Sequence, residues 1–149
     1  MNKKTIAFAS DHGGYELKKS LMMELSDNGN NLYEIMDLGC NSADISVDYP
    51  DYGKKASHVI SNGEADLAVI ICGSGIGISI AANRISGVRA ALCHNGLTAR
   101  LSRQHNDANI LALGARIIGI ETAKDCLWQF LNTEFEAGRH QKRIEKLCC

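Results

Sequence analysis

The 149-residue chain balances 16 Lys and Arg against 17 Asp and Glu, for a net charge of −1, with 45% hydrophobic and 22% charged residues. This fits one soluble globular domain over residues 1–149, large enough for its own core. Near-neutral charge argues against nucleic-acid or acidic-membrane partners, and no apolar run is long enough for a membrane span or a signal peptide, so a cytoplasmic protein is expected.

Residues 4–10 read as a first strand, followed at once by Asp11-His12-Gly13-Gly14. Leu17, Leu21, Met22 and Leu25 recur at helical spacing with Lys18, Lys19 and Glu24 between them, and Asp27-Asn28-Gly29 closes this amphipathic helix. A second strand is expected over 32–38, then a polar loop over 39–47. Pro50, the only proline, suits the start of a helix that buries Tyr52, Ala56, Val59 and Ile60 and ends at Asn62-Gly63. Residues 67–72 form a third strand, 78–85 a helix, 87–92 a fourth strand and 97–104 a short helix. A fifth strand covers 109–113. Ala123, Leu127, Phe130 and Leu131 mark another helix from 121, and 136–147 read as a charged helix or tail. Strands alternating with helices predict βαβ units and a parallel, doubly wound sheet. Ligands of such sheets bind at the carboxyl ends of the strands. Asp11-His12, Cys72-Gly73-Ser74, His94-Asn95 and Gly114 to Arg116 should all lie on that rim.

The stretch with most chemistry runs from Leu67 to Ala82. Five apolar residues, Leu67 to Ile71, read as a strand buried on both faces. It stops at Cys72, and Gly73-Ser74-Gly75-Ile76-Gly77 follows. A glycine turn leading into a helix offers free N–H groups to an anion or oxyanion, and such amides favour a thiolate. The alternatives are a structural thiol and a tight turn for close packing. The turn has neither the Rossmann dinucleotide fingerprint nor the lysine of a P-loop.

The six cysteines, at 40, 72, 93, 126, 148 and 149, contain no Cys-x-x-Cys pair and should be free thiols in a reducing compartment. Cys93 and Cys126 fit the core, and Cys148 and Cys149 a mobile tail. His58 and His94 show no ligand spacing, so no metal is expected. On a strand rim, acid–base or anion-binding work suits Asp11 and His12. The run from Ser102 to Asn109 reads as a polar surface loop, or as a segment reaching a substrate or a neighbouring subunit. Arg139 and Arg143 fall one helical turn apart, which fits a phosphate group or a solvated basic face.

Five blocks in order carry a resemblance over almost the whole length: residues 6–14, 48–50, 71–83, 101–109 and 136–143. The chain resembles the ribose-5-phosphate isomerase B family, within the sugar-phosphate isomerases that include galactose-6-phosphate isomerase subunits. The resemblance implies a Rossmann-like three-layer sandwich with a central five-stranded parallel sheet and a C-terminal helical tail. It implies interconversion of ribose 5-phosphate and ribulose 5-phosphate in the pentose phosphate pathway, through a cis-enediolate and without metal or cofactor. It also implies a homodimer, in some members paired into a tetramer, with active sites across the subunit interface. Cys72 then looks like the base and Ser74 like the hydroxyl that handles the sugar oxygens. Gly73, Gly75, Ile76 and Gly77 supply the oxyanion hole, and His105 assisted by Asp11 opens the ring. Tyr49 and Asn106 look like substrate contacts, with His12, Arg116, Arg139 and Arg143 as phosphate ligands. A related subgroup uses a Glu just past the glycine turn; Ile78 stands there here, which leaves the thiol.

Two other enzymatic readings compete, a six-carbon sugar phosphate (allose or galactose 6-phosphate) as substrate and a thiol redox enzyme. The redox reading wants a resolving cysteine beside Cys72, and the local motif has none. A non-enzymatic sugar-phosphate sensor on the same fold is the remaining class, and the joint presence of Cys72, Ser74 and His105 argues against it.

Overall fold

In the computed structural model, which describes residues 2–147, five parallel strands form one sheet. They are β1 (Lys4–Ser10), β2 (Tyr33–Asp37), β3 (Leu67–Cys72), β4 (Ala90–Leu92) and β5 (Ile110–Gly114). Their order across the sheet is β2-β1-β3-β5-β4. The helices are α1 (Tyr15–Asn28), α2 (Tyr49–Ser61), α3 (Ile76–Ala82), α4 (Gly96–Asn106), α5 (Ile120–Asn132) and α6 (Gln141–Glu145).

All six residues of β3 are buried, because the strand lies mid-sheet with helices over both faces. Its alternate side chains go to opposite sides. Val69 and Ile71 join Leu21 and Leu25 of α1, Ala99 of α4, and Leu127 and Phe130 of α5. Ala68, Ile70 and Cys72 join Ala56 of α2 and Ile78 and Ala82 of α3. This is the expected three-layer α/β sandwich. Cys93 and Cys126 are core residues, as their apolar settings predict. Cys148 and Cys149 lie outside the described residues. Among those residues no helix is long and apolar enough to cross a membrane.

Several boundaries differ from the sequence expectation. β2 is shorter at both ends, at Tyr33–Asp37. α3 starts at Ile76 rather than 78, because Gly75 turns the chain at φ 77° and caps it. It stops at Ala82, since the next residue, Asn83, is spent on β4: its side-chain amide pairs with the backbone of Ala90 in both directions, at 2.9 and 2.8 Å. β4 is cut to Ala90–Leu92; Arg89 instead gives its N–H to the Asn109 side chain. α4 extends through His105 and Asn106, which are therefore the end of a helix and not a loop, with Asp107 turning the chain at φ 43°. The C-terminal segment is a 3₁₀ turn, Gly138–His140, continued by the short α6.

Lys18 departs furthest from its sequence reading. It is fully buried rather than on the solvated face of α1. Its ammonium sits 2.6 Å from Asp37 Oδ1 and donates to the Cys40 carbonyl at 2.8 Å, while Asp37 also accepts from the Gly39 N–H. Its charge is satisfied by Asp37 at the end of β2 and by the Cys40 carbonyl in the loop that follows. Lys18→Met should lower stability in urea unfolding by about 2 kcal/mol, because it removes the buried donor to the Cys40 carbonyl and the ion pair to Asp37.

Candidate active site

The carboxyl ends of β1, β3 and β5 are neighbours, so the residues after them meet. The chain passes from β1 outward to β2 and returns to β3, which opens a crevice between β1 and β3. Asp11 follows β1. It is buried, and its Oδ1 accepts from Gly14 N–H at 3.0 Å, capping a 3₁₀ turn over His12–Gly14. His12 accepts the Val47 N–H on Nδ1 at 3.1 Å.

Cys72 ends β3 with 3% of its surface exposed. The Gly75 N–H donates to its sulfur at 3.1 Å. A hydrogen bond of this kind strengthens when its acceptor is charged. That contact needs the turn at Gly75, whose positive φ leaves a side chain no room: a Cβ there would lie 2.6 Å from Leu92 and 2.8 Å from the Leu113 backbone. Ser74 Oγ accepts from the Ile76 N–H at 3.1 Å. Two of the four amides expected to form an oxyanion hole, those of Gly75 and Ile76, are thus engaged by neighbouring side chains.

Arg116 follows β5, and its backbone N–H bonds to the Gly73 carbonyl at 2.9 Å. Its guanidinium lies over Gly73, where a Cβ would be 3.2 Å from Nη1. The Tyr49 ring rests on Gly77 in the same way. Asp11, Tyr49, Cys72, Gly73, Ser74, Ile76, Gly77 and Arg116 line one open cleft of about 640 Å³. Ile80 and Ile117 also line it and were not anticipated. The spacing of Ile80, one turn after Ile76, was the available signal. Asn95, by contrast, is a helix cap, accepting from the Thr98 N–H at 2.8 Å.

His105, Asn106, Arg139 and Arg143 are not part of this cleft. α4 runs antiparallel to the strands, so its last residues lie at the sheet's amino edge, just ahead of β5. Four residue steps of β5, about 13 Å at 3.3 Å each, separate Ile110 from Gly114, the partner of Cys72. At that edge the rings of His105 and His140 stack 4.4 Å apart and 17° from parallel. His140 Nε2 lies 3.6 Å from Glu136 Oε2. Burial, aided by His105 and Arg139, holds the buried His140 imidazole below its usual range, with Glu136 opposing. The ligand atoms of His105, Glu136 and His140 lie within 4.8 Å of one another. Parallel rings aim their lone pairs side by side rather than at one point, and Arg139 and Arg143 make the surroundings positive, so the arrangement does not suit a cation.

Cys93 and Cys126 lie away from the cleft. Burial pushes Cys126 up to about 12, with Cys93 and Asp125 adding, and burial also raises Cys93. Both are packed core groups.

Residues 6–147 match the family model described as Ribose/Galactose Isomerase. The chain belongs to the ribose/galactose isomerase family. It is 43% identical over 144 residues to ribose-5-phosphate isomerase B of Escherichia coli, covering 97% of this chain and 94% of that protein. A ribose-5-phosphate isomerase B from Clostridium thermocellum superposes with a TM-score of 0.92 at 48% identity, covering 96% of this chain and 94% of the other. One from Thermotoga maritima gives 0.93 at 48% identity, covering 99% of both chains. As a member of this family the chain is a sugar-phosphate isomerase. Gly77→Ala drives a methyl into the Tyr49 ring and should cut isomerase kcat/KM about tenfold or more by displacing that ring, with an unchanged far-ultraviolet circular dichroism spectrum.

Proposed function

We propose that this chain interconverts ribose 5-phosphate and ribulose 5-phosphate through a cis-enediolate, in the pentose phosphate pathway. The observation that carries this is Cys72, buried at a strand end with the Gly75 N–H on its sulfur and Ser74 and Arg116 lining the same cleft. The Cys72 thiolate removes the C2 proton of the open aldose, and electron density moves onto O1. Ser74 passes the hydroxyl proton between O2 and O1, and Cys72 returns its proton to C1. One base serves both carbons because both lie on one face of a planar intermediate, and a rigid strand end keeps the sulfur there. Preorganised N–H donors stabilise the oxyanion, each worth about 3 kcal/mol of barrier. With Gly75 supporting sulfur and Ile76 supporting Ser74, the amides of Gly73 and Gly77 are the ones we assign to the enediolate oxygen. No step requires a metal or organic cofactor.

Ribose 5-phosphate is mostly a closed furanose, so its ring must open first. We assign this to His105 with Asp11, and phosphate binding to His12, Arg116, Arg139 and Arg143, with Tyr49 and Asn106 on the sugar. Within one chain these residues occupy opposite edges of the sheet. The reading therefore requires a homodimer in which a second copy brings His105, Asn106, Arg139 and Arg143 to the Cys72 cleft. The half-exposed apolar rim of that cleft, Ile76, Ile80 and Ile117, supports a protein cover there.

Cys72→Ala should lower turnover by about 10³-fold while calorimetry still detects ribose 5-phosphate binding. EDTA should leave the rate unchanged. Arg143→Ala should raise KM for ribose 5-phosphate more than it lowers kcat. Side-by-side kcat/KM values for ribose 5-phosphate, allose 6-phosphate and galactose 6-phosphate should rank ribose first.

A further inference from the structure

We propose that Glu136 is a positioning residue for His105, acting through the buried ring of His140, and that it serves ring opening alone. The proposal rests on the reading of His105 as the ring-opening group. His105 stands on the last turn of α4, partly exposed, with its ring on the face of His140. His140 is fixed: its side chain is 8% exposed and its backbone N–H closes the turn onto the Ala137 carbonyl. Glu136 reaches both elements that carry the pair. Its backbone N–H donates at 3.1 Å to the carbonyl of Gln104, the residue before His105, and its carboxylate lies 3.6 Å from His140 Nε2. One residue thus ties the helix turn that carries His105 to the ring that supports it.

The charges around the pair sharpen this role. Arg139 and Arg143 act against protonation of His140 from the C-terminal segment, and His105 does so from α4. Arg103 and Asp107 of α4 are engaged with each other, at 3.0 Å. Glu136 is the carboxylate acting on His140 in the opposite sense. Two stacked imidazoles this close do not share two charges readily. Burial and the neighbouring positive groups hold the His140 ring below its usual range, Glu136 opposes them, and the His105 ring rests on the face of that supported ring.

The test uses two substrates. Ribose 5-phosphate must be opened; 4-deoxyribose 5-phosphate lacks the hydroxyl that closes the furanose and enters already open. Glu136→Gln keeps the backbone bond and the size of the side chain. It should lower kcat/KM for ribose 5-phosphate about tenfold and leave the 4-deoxy substrate unchanged. Equal losses on both substrates, or no loss on either, would overturn the role of Glu136. His105→Asn is the companion measurement. If it impairs only ribose 5-phosphate while Glu136→Gln does not, the positioning role fails and the reading of His105 stands; if it impairs both substrates equally, that reading and the inference fall together.

Discussion

The turn that ends β3 is the constraint on which the site depends. Gly75 adopts a backbone angle that a side chain could not share with Leu92 and Leu113, and only that angle brings its N–H to the Cys72 sulfur. The same turn starts α3, and on α3 Gly77 leaves room for the Tyr49 ring. The sulfur is held at the end of a mid-sheet strand that is buried along its whole length. In the proposed mechanism that placement keeps the sulfur on one face of the planar intermediate.

A parallel sheet has two unlike edges. The carboxyl edge holds Asp11, Cys72 and Arg116, while α4 and the C-terminal segment place His105, Asn106 and the Arg139/Arg143 pair at the other end. A folded chain cannot bring its own two edges together without breaking the sheet. If both sets act on one sugar phosphate, symmetry offers the simple route, because two copies about a twofold axis each lend one edge to the other. The apolar residues around the Cys72 cleft and the basic residues at the far edge are then two halves of one surface.

The sequence made much of this legible, and the reasons are physical. Continuous apolar runs and glycine punctuation located β1, β3 and β5 closely, because mid-sheet strands are buried on both faces. Helix α3 and strand β4 were misjudged because their limits depend on Gly75 and on the Asn83–Ala90 pairing, which are contacts rather than propensities. Lys18 looked solvated because no local pattern reveals that Asp37 and Cys40 will close over it. Of the proposed site residues, those directly after strands converge in one cleft, as the strand-end rule predicts. His105, Asn106, Arg139 and Arg143 do not join them, and the pairing of His105 with His140 was invisible because it joins segments 35 residues apart in sequence. The blocks that carry the family resemblance span both edges, so they identified the enzyme class without revealing how one chain divides its chemistry.

The central claim is that Cys72 and His105 of different chains share one active site. Co-expressing Cys72→Ala and His105→Asn chains tests it directly, with isomerisation of ribose 5-phosphate as the readout. Each variant alone should be far below wild type, while random pairing makes half the dimers mixed, each with one intact site. The account predicts recovery of about one quarter of wild-type activity. A mixture as inactive as its two parents would contradict it.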